Sequence, residues 1–397
     1  MRVLFTTTPG WGHVHPMVPL AKAFQQRGHE VRWAAAADVC GRLQSEGFAT
    51  SAAGLGEAES MAMVSERFPE VAALPPTERP LFLFPRLFGA VRAEPMLVDL
   101  LPVVREWRPT LLVAEAGEFA GPIAAAAAGV PSVCHAFGAL LPPERVAAAS
   151  TVVAPLWEAQ GLGPRPFAGS YDHLYLDIYP GSLSTGDRSH VPDVQPLRPV
   201  AFAATGEEVL PEWVTGDSVD REGAAPPLVY VTFGTVFNRD TSLIGAVVEA
   251  VAGLPLRVLV TVGPQGDPGV LGPQPPNVHV ARYLPQTHVL PHCAAVVSHA
   301  GSGTFLASLA HGLPQVCLPQ AADQFDNAGA CVRSGAGLAL LPGEATVPAV
   351  REGVERILSE AAFRTAAERV AGEIAAMPGP HVVAALVEER FYRQDPP

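Results

Sequence analysis

Residues 296–304, VVSHAGSGT, continue into FLASLAHG and join a short apolar strand to a helix through a glycine-rich turn. Such a turn points free backbone N–H groups and the positive end of a helix dipole at one spot, where an anion can bind. Because the turn contains neither Lys nor Arg, we expect dipoles and hydrogen bonds to hold a diphosphate there; a turn without any ligand is the alternative. The residues that we assign to this site are His299, Gly301, Ser302, Gly303 and Thr304.

The spacing of the glycines excludes two other phosphate-binding motifs. The P-loop pattern GxxxxGK[ST] is absent from the chain. The dinucleotide-binding pattern GxGxxG also fails, because Leu306 stands where the third glycine after Gly301 and Gly303 is required.

Strand and helix patterns alternate on both sides of a central linker. The first half opens with the strand 2–8 and a helix over 16–27, and the pattern restarts at 228–233 after the polar, Gly/Pro-rich stretch 204–227. This alternation predicts an α/β protein with two Rossmann-like parallel-sheet domains, which face each other across a cleft with one wall for each of two substrates. The predicted parts are an N-terminal domain 1–204, a linker 205–227, a C-terminal domain 228–379 and a C-terminal helix 380–397 that crosses back to the N-terminal domain.

The composition excludes several classes of protein. A formal charge of −13 makes nucleic acid an unsuitable partner. Five scattered cysteines without a CxxC pair indicate buried side chains in a reducing compartment. No window approaches the roughly 20 apolar residues that a membrane span needs, and Met1 leads into a short strand rather than a signal peptide. We therefore predict a cytoplasmic protein without a membrane span.

Two further segments of the C-terminal domain carry polar or aromatic side chains near the glycine-rich turn. In PQAADQFDNA (319–328), Asp323 and Gln324 follow a predicted strand and can bind sugar hydroxyls, with helix capping by Asp323 as the alternative. In RYLPQ (282–286), Tyr283 can stack on a base and Gln286 can reach a ribose. A buried core tyrosine is the competing interpretation.

Residues 281–340 resemble the donor-binding signature of the inverting GT-B glycosyltransferases of family 1. HAGSGT, HGLP and P-x-A-x-DQ-x-x-NA occur in the same order and spacing, and the chain length and both domains fit as well. The resemblance is closest to the actinobacterial branch that acts on secondary metabolites. It implies transfer of a sugar from a nucleotide diphosphate donor, with inversion, onto a hydroxyl of a small acceptor. The Asp-x-Asp motif of metal-dependent glycosyltransferases is absent, so we expect no required metal and no cofactor.

The resemblance also implies individual roles for the donor-binding residues. It implies that Thr235 and the turn bind the phosphates, and that Tyr283 and the backbone of Leu284 bind the nucleobase. Asp323 and Gln324 would bind the sugar. One position departs from the family. Ala307 stands where many relatives place a glutamate that grips the ribose hydroxyls. That loss fits a thymidine donor, whose sugar lacks the 2′-hydroxyl, although the sequence leaves TDP and UDP both open.

Inverting sugar transfer needs a base for the acceptor proton, and the resemblance assigns that role to His13. This histidine lies in TPGWGHVHP (8–16), directly after the first strand, and an unperturbed imidazole pKa of about 6.5 suits the task. His15 lacks a third ligand nearby that would make a metal site with His13. The orienting carboxylate falls on Glu115 in TLLVAEAGEFAG (110–121), with Glu118 as the alternative.

The acceptor wall is expected in the divergent part of the N-terminal domain. Its aromatic side chains predict an apolar or aromatic acceptor, with ordinary core packing as the alternative. The residues that we select are Trp11, Phe82 and Phe137. The identity of the sugar and the acceptor, the glycosylated atom and the formation of a homodimer remain open.

Two other functions are compatible with the same fold. The first is isomerisation of the donor, as in a sugar-nucleotide 2-epimerase, which would need no acceptor pocket. The second is a non-catalytic auxiliary protein that binds a nucleotide or a metabolite. The presence of His13 and of the HAGSGT and DQ motifs argues against the auxiliary protein, whereas release of epimerised donor without acceptor would favour the epimerase.

Overall fold

The computed structural model describes residues 1–202, 210–215, 225–234, 241–263 and 266–392. The chain divides into two compact units. Unit 1 contains Met1–Tyr179, Thr185–Val200 and the C-terminal segment from Met377, and unit 2 contains Pro180–Ser184 and the described residues between Ala201 and Ala376.

Unit 1 is built on a seven-stranded sheet in which every neighbouring pair is parallel. The strand order is β3-β2-β1-β4-β5-β6-β7, so the direction of winding reverses between β1 and β4. Loops that leave the carboxyl ends of these two strands open into the crevice where such sheets bind ligands. The strands are β1 Arg2–Thr6, β2 Glu30–Ala35, β3 Ala49–Ala52, β4 Leu111–Glu115, β5 Ser132–His135, β6 Leu174–Asp177 and β7 Val194–Pro196.

Unit 2 repeats this plan with a six-stranded parallel sheet in the order β10-β9-β8-β11-β12-β13. Its winding reverses between β8 and β11. Nearly continuous buried aliphatic residues in the central strands, such as Val229, Val231 and Val297, reflect a sheet covered on both faces. The strands are β8 Leu228–Thr232, β9 Arg257–Thr261, β10 Val278–Ala281, β11 Cys293–Ser298, β12 Gln315–Cys317 and β13 Gly337–Ala339.

Helices connect successive strands. They are α1 Trp11–Val14, α2 Val18–Gln26, α3 Ala37–Ser45, α4 Glu57–Arg67, α5 Arg79–Phe84, α6 Ala93–Trp107, α7 Ala120–Ala128, α8 Pro143–Ala159, α9 Glu212–Thr215, α10 Thr241–Val251, α11 Gln286–Val289, α12 Ser302–Ala310, α13 Gln324–Ser334, α14 Val347–Ser359, α15 Ala361–Ala376 and α16 Pro380–Tyr392. Short 3₁₀ turns and one π-helical segment, Pro85–Arg92, lie between them. The helix expected over 16–27 is broken, because His15–Met17 forms a 3₁₀ turn before α2 begins. Within the stretch 205–227, α9 buries Val214 in the core of unit 2.

The C-terminal helix α16 packs against α2 within unit 1. It buries Val383, Ala384 and Val387, and Glu388 accepts a hydrogen bond of 2.9 Å from Nε of Arg27. By length and composition alone, the stretch Ala361–Tyr392 is long and apolar enough to cross a membrane. This criterion is weak evidence for a membrane span, because core helices of soluble proteins also meet it. That stretch consists of two separate helices, α15 and α16, interrupted at 377–379.

Candidate active site

His13 and Glu115 meet at the winding reversal of unit 1. His13 lies on α1 directly after β1, and Glu115 is the last residue of the neighbouring strand β4, where Thr6 pairs with Ala114. Oε1 of Glu115 is 3.0 Å from Nδ1 of His13. The ring N–H is not aligned with that oxygen as a hydrogen bond, as is common in free active sites. The His13 side chain is 21% exposed and that of Glu115 is 0% exposed, so only the imidazole is accessible to a ligand.

Two further groups fix the carboxylate of Glu115. The hydroxyl of Thr8 donates to Oε2 at 3.0 Å, and the N–H of Gly117 donates to Oε1 at 2.7 Å. Burial disfavours the ionised form, but His13, Gly117 and Thr8 together hold the pKa of Glu115 below its ordinary value. The carboxylate is therefore ionised at neutral pH and fixed toward the imidazole. Thr8 and Gly117 were not predicted as site residues, although they lie within the segments 8–16 and 110–121 that contain His13 and Glu115.

The alternative carboxylate, Glu118, has a different role in the structure. Its two oxygens accept hydrogen bonds from the N–H groups of Ala120 at 2.7 Å and Gly121 at 2.9 Å, at the start of α7. Burial raises the pKa of Glu118 to about 7. The geometry thus brings Glu115, and not Glu118, within reach of His13.

Aromatic rings flank the imidazole of His13. The ring centroid of Phe137 lies 4.7 Å from that of His13, and the ring centroid of Phe88 lies 5.6 Å away. Of the three predicted acceptor residues, the structure brings Phe137 to the base. Phe88 was not selected, although it ends the aromatic-rich segment LFLFPRLF (81–88).

The other two predicted acceptor residues have partners of their own. Trp11 stacks on the ring of His15 at 5.2 Å, and the guanidinium of Arg86 lies 3.5 Å from the ring centroid of Phe82. Burial, aided by Arg42, lowers the pKa of His15 to about 4. His15 is therefore neutral near pH 7 and packs against Trp11 rather than serving as a second base.

Thr8 and Gly117, which donate hydrogen bonds to Glu115, also line a small cavity in unit 1. It is lined by the segments that follow β1 and β3, the β4–α7 loop, the π-helical segment and α6, among them Thr8, Leu55, Phe88, Arg92, Met96 and Glu118.

The glycine-rich turn of unit 2 follows β11, next to the winding reversal of that sheet. Ala300 adopts a positive φ of 61°, and Gly301 is the N-cap of α12. Among the residues that the structure describes, none caps this helix through its side chain, so the amides of its first turn remain available to a ligand. Ser302 and Thr304 are buried in that first turn, whereas Gly303 is exposed.

His299 is packed between two glycines. A Cβ on Gly301 would stand 2.5 Å from Nε2 of His299, and a Cβ on Gly234 would stand 2.8 Å from its Cε1. Both positions therefore require glycine if the imidazole is to occupy this place. Burial lowers the pKa of His299 to about 4, so the ring is neutral near pH 7 and offers a hydrogen bond rather than a charge.

The loop after β12 is tied to the glycine-rich turn by side chains. Ser302 Oγ donates to Oδ2 of Asp323 at 2.6 Å, while Nδ2 of Asn327 donates to the Ala300 carbonyl at 2.9 Å and to Ser302 Oγ at 3.0 Å. Asp323 occupies the N-cap position of α13, but its side chain makes no cap hydrogen bond. Asn327 was not selected from the sequence, although it belongs to the DQ-x-x-NA motif.

Gln324 and Gln286 are both engaged within the site. Oε1 of Gln324 accepts hydrogen bonds from the N–H groups of Gln320 at 2.8 Å and Ala321 at 3.0 Å. Nε2 of Gln286 donates to Oγ1 of Thr304 at 2.9 Å. The Gln324 amide thus supports the loop after β12, and the Gln286 amide joins the start of α11 to the glycine-rich turn.

The remaining predicted donor residues differ in exposure. Tyr283 is only half-buried, unlike a core tyrosine, and Leu284 is buried in the core of unit 2. Ala307 belongs to the same core cluster and is 6% exposed, so a longer side chain there would have little room. Thr235 lies outside the described residues.

Comparisons with known proteins agree on one family. Models of the erythromycin biosynthesis protein CIII-like N-terminal and C-terminal domains match residues 22–222 and 245–389. The elloramycin glycosyltransferase ElmGT of Streptomyces olivaceus is 34% identical over 98% of each chain. The L-demethylnoviosyl transferase of Streptomyces niveus is 32% identical over 97% of each chain.

A solved structure extends the similarity to the whole fold. The glycosyltransferase SsfS6 of Streptomyces sp. SF2575, complexed with thymidine diphosphate, is 27% identical and superposes with a TM-score of 0.78 over 98% of this chain and 99% of its own. The two parallel-sheet units thus match GT-B glycosyltransferase structures, and the predicted fold class is confirmed.

Proposed function

The chain belongs to the erythromycin biosynthesis protein CIII-like family and is a glycosyltransferase of the natural-product type, and on that premise we propose its reaction. It transfers a sugar from a thymidine diphosphate donor, with inversion, onto a hydroxyl of an apolar or aromatic acceptor. The observation that carries this proposal is the contact between the partly exposed His13, which the rings of Phe137 and Phe88 flank, and the buried carboxylate of Glu115. His13 is the general base of the reaction.

The proposed chemical step is a single displacement at C1 of the donor sugar. The acceptor oxygen attacks C1 from the face opposite the diphosphate, the new C–O bond forms as the bond to phosphate breaks, and the hydroxyl proton passes to His13. Glu115 stabilises the imidazolium that results and holds the ring in place. Its ionised state, favoured by Thr8 and Gly117, supports this role.

The diphosphate leaving group is assigned to the glycine-rich turn. The free amides of α12, the hydroxyls of Ser302 and Thr304 and the neutral ring of His299 supply donors there. Thr235 is assigned to the same group. Tyr283 and the backbone of Leu284 bind the nucleobase, and Asp323 and Gln324 bind the sugar. The network that joins Asp323, Ser302 and Asn327 supports a common site for sugar and phosphate.

Thymidine rather than uridine is proposed because Ala307 supplies no carboxylate for a ribose 2′-hydroxyl. Its burial in the core and the thymidine diphosphate bound in structural neighbours such as SsfS6 support the choice. Calorimetric titration of the chain with TDP and UDP tests it directly. We expect tighter TDP binding, and much tighter UDP binding would overturn the assignment.

The reaction is proposed to need no metal and to take place in the cytoplasm. Within the described ranges, no group of three or more His, Cys, Asp or Glu side chains is placed to hold a metal ion. Transfer should therefore persist in the presence of EDTA.

The named relatives are transferases, which favours this function over a 2-epimerase or an auxiliary binding protein.

A mixed-acceptor screen tests the proposal as a whole. The chain is incubated with TDP-sugars or UDP-glucose and a panel of aromatic hydroxyl compounds, and glycosylated products are detected by mass spectrometry. The anomeric configuration of the product is then read by NMR. We expect inversion and a preference for TDP-sugars; epimerised donor released without acceptor, or a product with retained configuration, would contradict the proposal.

A further inference from the structure

Arg92 is a buried cation that the proposed reaction does not use. It ends the π-helical segment Pro85–Arg92, and its side chain is only 5% exposed. It also lines the small cavity of unit 1, together with Phe88 and Thr8. Arginine is rarely buried unless its donors are paired, so its partners indicate whether it has a purely structural role.

The partners of Arg92 leave donor capacity unused. Nη2 donates to Oε2 of Glu57 at 2.7 Å, but the Glu57 side chain is 42% exposed. Among the residues that the structure describes, Nε of Arg92 is buried and has no hydrogen-bond acceptor. A guanidinium carries five N–H donors, and a buried donor without an acceptor is unfavourable. A ligand oxygen in the cavity would satisfy it.

The aromatic ring of Phe88 connects Arg92 to the catalytic base. Cζ of Arg92 lies 5.3 Å from the Phe88 ring centroid, and the His13 ring centroid lies 5.6 Å from that same centroid. A flat acceptor that packs on Phe88 would thus have both groups near its edge. One oxygen of the acceptor would meet Arg92 while a hydroxyl meets His13.

We propose that Arg92 binds a neutral carbonyl oxygen of the acceptor and thereby selects the hydroxyl that faces His13. The inference rests on the proposed function and specifies the acceptor class: compounds that carry a carbonyl group in addition to the glycosylated hydroxyl. The charges around Arg92 favour a carbonyl over an anion. The carboxylates of Glu57, Glu115 and Asp38 already act on the guanidinium, and a further negative charge would be repelled by them.

The test uses two probes that differ by one carbonyl group. 6-Hydroxy-1-tetralone has the hydroxyl and the carbonyl, whereas 5,6,7,8-tetrahydro-2-naphthol has the same hydroxyl and no carbonyl. Binding of each probe to the full chain is measured by calorimetry, below the phenol pKa of both. We expect the tetralone to bind about tenfold more tightly, as one charge-assisted hydrogen bond provides. 6-Hydroxy-1-naphthoate, the anionic probe, should bind more weakly than the tetralone.

Variants test whether Arg92 causes the preference for the tetralone. Arg92→Met should make the two neutral probes bind equally, and Arg92→Lys should retain part of the preference. Glu57→Gln, the matched control, keeps the guanidinium and should keep the preference. The inference is overturned if Arg92→Met preserves the preference, if Glu57→Gln abolishes it, or if the naphthoate binds most tightly. Should Arg92→Met not fold, Arg92→Lys and Glu57→Gln still give the decision.

Failure of this inference differs from failure of the proposed function. Probe binding requires neither donor nor turnover, so His13→Ala should keep the preference for the tetralone. Normal transfer by His13→Ala would refute the catalytic proposal and leave the Arg92 subsite intact. Equal probe binding by the unmodified chain would refute the subsite and leave the catalytic proposal intact.

Discussion

The carboxylate of Glu115 lies 3.0 Å from Nδ1 of His13, and the two residues are brought together by the parallel pairing of β1 with β4. Only the imidazole of this pair is exposed. A base that is accessible on one side and supported by a buried, ionised carboxylate on the other is the arrangement that proton abstraction from a hydroxyl requires.

Replacement of the base tests the proposed mechanism. We expect His13→Ala to lower kcat/KM for transfer by about 10²- to 10⁴-fold, the usual contribution of a positioned general base, while the TDP affinity measured by calorimetry stays unchanged. His15→Gln is the matched control. Because His15 is neutral and packs on Trp11, it should retain most of the activity. Near-normal turnover by His13→Ala would contradict the assignment.

Glu115, at the end of β4, and Glu118, in the loop that follows, are expected to differ in catalysis. Glu115→Gln removes the negative charge that faces His13 and should lower kcat by about 10²-fold or more with little change in donor affinity. Glu118→Gln changes a group that accepts backbone hydrogen bonds from α7 and should have a much smaller effect on kcat. Steady-state kinetics on both variants decide the question. A larger loss in Glu118→Gln would reverse the assignment.

The raised pKa of Glu118 predicts a pH-dependent stability. Burial lifts this pKa from 4.5 to about 7, so between these values the folded chain holds more protons than the unfolded chain. This contribution, roughly 3 kcal/mol, is complete below about pH 4.5 and is lost as the pH rises through 7. Because Glu118→Gln removes the titrating carboxyl, this loss of folding stability should be absent from that variant.

Urea unfolding at about pH 5 and about pH 8 measures this effect. Four of the five tryptophans, Trp11, Trp33, Trp107 and Trp157, lie in unit 1, so tryptophan fluorescence reports mainly on the unit that contains Glu118. Glu106→Gln, at an exposed position on α6, serves as the control and should preserve the slope of the unmodified chain. If the free energy of unfolding changed equally between the two pH values in Glu118→Gln and in the unmodified chain, Glu118 would not titrate in this range.

A Cβ at position 301 should damage the phosphate site. In Gly301→Ala the new atom would stand 2.5 Å from Nε2 of His299, so the imidazole must move from its place. We expect TDP affinity to fall about tenfold or more, as measured by calorimetry. Gly372→Ala on α15, where a Cβ meets nothing within 4 Å, should leave affinity unchanged and raise stability by up to about 1 kcal/mol. An unchanged affinity in Gly301→Ala would exclude His299 from phosphate binding.

Asn327 is expected to hold the donor loop in place. Its side chain is fully buried and donates to Ala300, Ser302 and Asp323. Asn327→Asp replaces this donor by a carboxylate, and should cost about 1–3 kcal/mol of stability and weaken TDP binding. Glu355→Gln, at an exposed position on α14 of the same unit, provides the control and should change neither quantity. Thermal unfolding with and without TDP gives both measurements, and equal behaviour of the two variants would contradict this role.

The two parallel-sheet units, the glycine-rich turn of unit 2 and the histidine that follows β1 could all be predicted from the sequence. These features depend on local chemistry: the alternation of apolar strands with helices, the space that glycine leaves, and the position of a side chain directly after a strand. Which distant groups meet depends on the folded chain: Glu115 rather than Glu118 lies at His13, Phe137 and Phe88 lie beside the imidazole, and Asn327 is joined to Asp323 and Ser302. Strand register and loop conformation set these contacts. Glu115 at the end of β4 and Glu118 three residues later point in different directions, which no sequence pattern distinguishes.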